Sequence, residues 1–259
     1  MDLRIAGRTA IVCGASAGLG RGTARALALN GVDVIIAARS RDRLEEAARS
    51  IGEEAGRPVR FVVADVTTEE GRLALLKTCP SPDIVINNAG GPPTGDFREW
   101  DRETWIKALD ASMLSAIFLI KATIDAMIER RWGRIINITS SMVKAPSAVL
   151  GLSNGARAGL TGFVGGLARD VAGHGVTINS VLPGQFDTDR LRSIHQRAAQ
   201  TSGRDFDSVR AAAIRNVPAG RLGQPDEFGA VCAFLCSEHA GYITGQNFLL
   251  DGGQFPGLL

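Results

Sequence analysis

No charged run and no Pro/Gly-rich linker divides the 259 residues, so the chain is read as one domain at the upper end of what a single core supports. No excess of one sign exists either. The 29 Lys and Arg are interspersed with 27 Asp and Glu, and a net charge of +2 supplies no basic stripe to follow a phosphate backbone. Nucleic acid is therefore not an expected partner. No uninterrupted apolar run looks long enough to span a bilayer, and "MDLRIAGRTAIVCGAS" carries a charge inside what would be the apolar core of a signal peptide. The expectation is a cytoplasmic protein without a membrane partner.

Cysteine is scarce. Cys13, Cys79, Cys232 and Cys236 are spaced like reduced core thiols rather than a disulfide frame. Cys232, Cys236 and His239 share one helical face, but "AVCAFLCSEHA" is an apolar face with no second ligand cluster, and no metal is expected there. Internal repeats and low-complexity segments are lacking too.

What is present is a recurrence of short β-branched runs. Thr9–Cys13, Asp33–Ala37, Val59–Ala64, Asp83–Asn88, Gly133–Thr139, Val176–Leu182 and Asn247–Asp251 each read as a strand. The stretches between them are long enough for right-handed crossover helices. The runs are apolar throughout, as strands become when helices cover both faces of a sheet. The predicted fold is α/β: a doubly wound Rossmann sandwich of about seven parallel strands. Residues 187–219, rich in Arg, Gln and Ser, read as a helical lid over the crevice at the strands' carboxyl ends.

The first run ends in Cys13-Gly14-Ala15-Ser16-Ala17-Gly18-Leu19-Gly20 and opens a helix. Strand, turn and helix together form a phosphate cradle. Gly14 permits the tight turn, Gly18 lets backbone N–H groups approach a pyrophosphate, Gly20 allows close packing, and the helix N-terminus contributes positive potential. Beyond this turn the chain carries "NNAG" (87–90), "PG" (Pro183-Gly184) and "YITGQNFLLDGG" (242–253). With these motifs it resembles the short-chain dehydrogenases/reductases over nearly its whole length. The ending "RLGQPDEFGAVCAFLCSEHAGYITGQNFLLDGG" is most similar to the 3-oxoacyl-acyl-carrier-protein reductase branch.

The resemblance implies a nicotinamide cofactor, with Asp65-Val66 beside the adenine, Asn88-Ala89-Gly90 along the ribose and phosphates, and Phe186 with Thr188 near the nicotinamide amide. An acid at the end of the second strand would hold a free 2′-hydroxyl, whereas a cation would pair with a 2′-phosphate. Ala38-Arg39 stands there, with Arg41 and Arg43 on the next turn, so NADP(H) is favoured and NAD(H) is the alternative. Ala17 lacks the basic side chain that many NADP-binding relatives carry within the loop.

The family's catalytic residues are a Ser after the fifth strand, a Tyr-x-x-x-Lys pair on the following helix, and an Asn on the long helix after the fourth strand. Here "LGLSNGARAGLTGF" puts Ser153 at the Tyr position and Arg157 at the Lys position. Counting back by the family's interval lands on Ser140 in "NITSS", and "WIKALDASMLSAIF" puts Ser112 at the Asn position. Three of four catalytic positions are substituted. A phenol starts from a pKa near 10, which a neighbouring cation can lower, but an aliphatic hydroxyl is a poor acid at neutral pH. A guanidinium binds hydroxyls without relaying protons.

Candidates for a replacement acid are His195, Lys144 and Asp187; His174, in a Gly-His-Gly turn, reads as structural. The leading expectation is an NADP(H)-dependent oxidoreductase acting on a small-molecule carbonyl, alcohol or activated double bond. In this reading Ser140 holds the oxyanion and Ser153, Arg157 and Ser112 complete the centre. The alternatives are a cofactor-binding protein without turnover, or non-redox chemistry such as retro-aldol cleavage. The resemblance and the small residues of "LTGFVGGLARDVAG" point to a homotetramer.

Overall fold

The computed structural model describes residues 1–258. Its seven strands are β1 (Thr9–Cys13), β2 (Asp33–Ala38), β3 (Arg60–Val63), β4 (Ile84–Asn87), β5 (Gly133–Ile138), β6 (Val176–Pro183) and β7 (Asn247–Leu250). They form one sheet in the order β3-β2-β1-β4-β5-β6-β7, with every pair parallel. Each predicted run is a strand, displaced by no more than a residue or two at its ends. The order reverses between β1 and β4, and the topological switch opens a crevice at the carboxyl ends of those strands.

Alternation along the strands divides the core in two. Val12, Ile36, Ile86 and Ile136 point to one face, covered by α1 (Gly18–Leu29), α2 (Arg41–Ala55) and α9 (Pro225–Leu235). Ile11, Ile35, Val85 and Ile135 point to the other, covered by α3 (Glu69–Thr78), α5 (Ser115–Glu129) and α6 (Gly151–Ala172). Both faces are apolar because both are covered.

One continuous helical stretch, 102–129, is long and apolar enough by composition to cross a membrane, contrary to the reading of the sequence. Its apolar residues have another use. Ala116, Leu119, Ile120, Ile124 and Met127 are buried against the sheet. The stretch runs as α4 (Arg102–Leu109), a π-helical turn (Asp110–Leu114) and α5.

The 187–219 segment is two helices, α7 (Asp189–Ser202) and α8 (Phe206–Arg215). Gly203 ends α7 in the left-handed region at φ +67, and the Asp205 carboxylate caps α8 by accepting from the Ser208 N–H at 2.8 Å.

Cys232 and Cys236 lie in the core with their thiols pushed up by burial, while His239 is exposed and its Nε2 lies 2.8 Å from the Asp2 carbonyl oxygen.

Candidate functional site

The turn after β1 carries Gly14 at φ +59 and Gly18 at φ +56, backbone that a residue with a Cβ resists. A Cβ on Gly20 would overlap the Gly14 carbonyl oxygen. The Asn88 side chain donates to that same oxygen at 3.2 Å, tying the end of β4 to the loop. These constraints leave the α1 N-terminus open toward the crevice, the form a pyrophosphate needs. The Thr188 methyl group faces Gly18 from the opposite wall, and the Thr188 hydroxyl caps α7 by accepting from the Leu191 N–H at 3.2 Å.

At the end of β2 the three arginines separate. Arg41 pairs along its own helix with Glu45 at 3.3 Å, and Arg43 reaches Asp189 on α7 at 2.7 Å. Arg39 keeps a side chain 79% exposed, and its nearest carboxylate, Asp65, is 3.9 Å away. Asp65 itself accepts from the Thr67 N–H and hydroxyl at 3.0 and 2.8 Å. Arg39 is thus the arginine of the three that is available for a phosphate. The Phe186 ring is buried edge-on against Phe228 at 5.3 Å. The apolar ring gains more from the core under α9 than from a polar groove.

The substituted positions do meet. On α6, Arg157 Nε donates to Ser153 Oγ at 3.1 Å, and Nη1 donates to the Ile138 carbonyl at 2.9 Å. Ile138 ends β5, and Ser140 follows two residues on, its hydroxyl accepting from the Met142 N–H at 3.2 Å. Burial and the nearby charge of Arg190 pull Arg157 down to about 10, which leaves it a cation at neutral pH. Ser153 is 7% exposed. Its oxygen accepts from Arg157, so its own proton is left to donate.

Ser112 falls in the π-helical turn, an irregularity common at functional sites. Its Oγ is buried without a hydrogen-bond partner. It lines a cavity of about 20 Å³ with Arg157, Asn88, Ala89, Ser115 and Ile138, room for about one water. Ser140 and Ser153 do not line this cavity; Arg157 lines it together with Ser112 and holds Ser153 through its Nε.

No acid replaces the tyrosine among these groups. His195 is buried inside the α7–α8 pair, 6.4 Å from the Phe206 ring, and its pKa is lowered by burial and by Arg210. Asp187 is paired with Arg192 at 3.3 Å and Arg210 at 3.7 Å. Lys144 is half-buried on the turn after Ser140. His174 is exposed at the amino end of β6, away from the crevice. Tyr242, the single tyrosine in the sequence, is fully exposed near that same end, where the adjoining Ile243 carbonyl accepts from Asn179. Cys13 reaches the cavity wall, but burial raises its thiol to about 12 and keeps it protonated.

The sequence reading missed Arg190. Its Nη1 donates to the Gly91 carbonyl at 3.2 Å, and its guanidinium sits where a side chain at Gly91 would stand. The Gly-Gly that follows Ala89 was the available signal.

A glycine turn at a sheet switch point and a serine–arginine pair of α6 anchored on the end of β5 define a dinucleotide-type crevice. A family model described as enoyl-(acyl carrier protein) reductase matches residues 14–254. The chain belongs to the short-chain dehydrogenase/reductase family. It is 35% identical over 257 residues to a 3-oxoacyl-[acyl-carrier-protein] reductase of Vibrio harveyi, covering 98% of this chain and 99% of that one. It is 36% identical to nodulation protein G of Azospirillum brasilense over 255 residues, covering 95% and 97%. Among solved structures it is similar to the L-sorbose reductase of Gluconobacter frateurii complexed with NADPH and L-sorbose. That match has a TM-score of 0.94, 30% identity and full coverage of both chains. Another is an NADPH-dependent reductase involved in bacilysin biosynthesis, with a TM-score of 0.91, 28% identity, and 97% and 99% covered.

Proposed function

We propose that the chain is an NADPH-dependent reductase whose substrate oxygen is held by hydroxyl groups and whose proton comes from solvent. The observation that carries this reading is the Arg157–Ser153 hydrogen bond anchored on the Ile138 carbonyl. It fixes a hydroxyl donor at the tyrosine position without restoring an acid.

Gly14, Gly18 and Gly20 hold the pyrophosphate, Arg39 pairs with the 2′-phosphate, Asp65 and Val66 border the adenine, and Arg157 binds the ribose hydroxyls. Leu19 packs beneath this turn, and Ser16 and Ala17 border it. Pro183-Gly184 and Thr188 close the nicotinamide end. When bound, the cofactor supplies the hydride. The Ser140 and Ser153 hydroxyls donate to the developing oxyanion, with Arg157 adding positive potential behind Ser153. An enolate held in this way needs no immediate proton, since carbon is protonated later by water. A carbonyl-activated double bond is therefore the favoured substrate over a simple ketone, whose alkoxide demands a proton at once. The water-sized cavity between Ser112 and Arg157 offers a path for that proton.

Four free, buried cysteines suit a reducing compartment, and we place the protein in the cytoplasm. We assign the contact of a homotetramer to the outer side of α6. There an added Cβ on Gly162, Gly165 or Gly166 meets nothing within 4 Å, and Phe163 is exposed. Analytical ultracentrifugation measures the oligomeric state.

The test of function is NADPH oxidation with matched enones and saturated ketones. Enones should turn over, with ketones slower by about 10²–10⁴-fold, the usual worth of general acid catalysis. NADPH binding without oxidation by either class would favour a protein that binds cofactor without turnover, and cleavage of a β-hydroxy ketone would favour retro-aldol chemistry.

A further inference from the structure

We propose that Arg190 binds a carboxylate on the substrate, so that the reduced carbonyl or enone compound is an organic acid. The inference rests on the reductase reading and narrows its substrate class.

The first turn of α7 is dense in charge, and nearly all of it is spoken for. Asp187 is paired with Arg192 and Arg210, and Asp189 with Arg43 and Arg192. Arg190 has no carboxylate partner among the described residues, and its one hydrogen bond goes to the Gly91 carbonyl. Arg157 likewise has only a hydroxyl and a carbonyl as partners. Neither guanidinium is paired with an acid: Arg157 lines the cavity wall, Arg190 lies exposed over Gly91, and its charge is close enough to oppose that of Arg157. The cavity at Arg157 also holds the partnerless buried Ser112 hydroxyl. An anion entering from the lid side relieves the repulsion and gains a planar donor fork matched to a carboxylate.

The cofactor pyrophosphate is the other anion within this crevice, and position separates the two. Thr188 is the α7 cap residue that faces Gly18 and the glycine turn. Arg190 faces Gly91 instead, beyond the Asn88-Ala89-Gly90 strip on the wall that leads to Ser112 and Arg157. Gly91 leaves the room that the guanidinium uses.

The experiment measures binding of phenylpyruvate and levulinate, each against its methyl ester, to the NADPH complex by quenching of cofactor fluorescence. The native protein should prefer an acid over its ester by about tenfold or more, as for a hydrogen bond to a charged group. Arg190→Met should bring that ratio close to one, Arg190→Lys should keep part of it, and affinity for NADPH should change by less than about twofold in both. Equal binding of acid and ester by the native protein overturns the proposal. So does an Arg190→Met variant that loses NADPH affinity while its preference for the acid is intact, because the bound anion is then the cofactor's. Turnover is recorded with 4-oxo-2-pentenoate, the enone counterpart of levulinate: acid-selective binding without NADPH oxidation by this enone counts against the reductase reading and leaves the carboxylate site standing.

Discussion

The glycine turn after β1 and the first turns of α6 face the same crevice but are constrained in opposite ways. The glycine turn is held by backbone: two positive φ angles and a position where a Cβ would strike a carbonyl oxygen. The α6 corner is held by side chains, with Arg157 donating to Ser153 and to the end of β5. Backbone constraints admit only glycine, whereas a side-chain network can be rebuilt with other residues. The cofactor half therefore keeps its family pattern, while at the α6 corner a hydroxyl and a guanidinium stand where the proposed register puts a phenol and an amine.

Substitutions should break the two halves differently. The largest effect is expected at Gly20→Val, whose side chain meets the Gly14 carbonyl. NADPH binding should be lost, with a stability cost of about 1–3 kcal/mol in denaturant melts. Arg39→Ala should weaken NADPH by about 1.5–3 kcal/mol in calorimetry and leave NADH nearly unchanged. Equal losses for both cofactors would remove Arg39 from the 2′-phosphate. Ser153→Ala removes an oxyanion donor and leaves the Arg157 Nε–H without its acceptor. Turnover of an enone should fall by about 0.5–1.5 kcal/mol of barrier, with NADPH affinity little changed.

The smallest effect is a dependence of the α7–α8 pair on acid. Burial and Arg210 lower the His195 pKa below its ordinary 6.5. Between the lowered value and 6.5 the unfolded chain binds a proton that the native chain does not, so stability is lost as pH falls through that window. Protection factors of the α7 and α8 amides, with the intrinsic exchange rate divided out, should fall below about pH 6.5, and His195→Leu should flatten that response.

The fold and the placement of Ser140 and Ser153 on it were legible because both rest on local pattern. β-branched runs placed every strand, and the interval from Ser153 to Ser140 placed both residues at the end of β5 and the start of α6. What was not legible depends on distant closure. The π-helical turn at Asp110–Leu114 leaves no mark on apolar periodicity. The burial of Phe186 follows from where Phe228 lies, and Arg190 reaches Gly91 only because α7 folds across the crevice. The break between α7 and α8 was available in Ser202-Gly203-Arg204-Asp205, a left-handed stop followed by a cap.

The central claim is that no side chain of the protein gives up a proton in the reaction, and the pH profile of kcat/KM for enone reduction tests it most directly. His195 is neutral above its lowered pKa, and Arg157 is held to about 10. The account predicts a level profile from about pH 6.5 to 9, then a decline as Arg157 loses its charge near its own pKa. A limb with an apparent pKa inside that range, abolished by substituting one residue of the crevice, would contradict it and identify the missing acid.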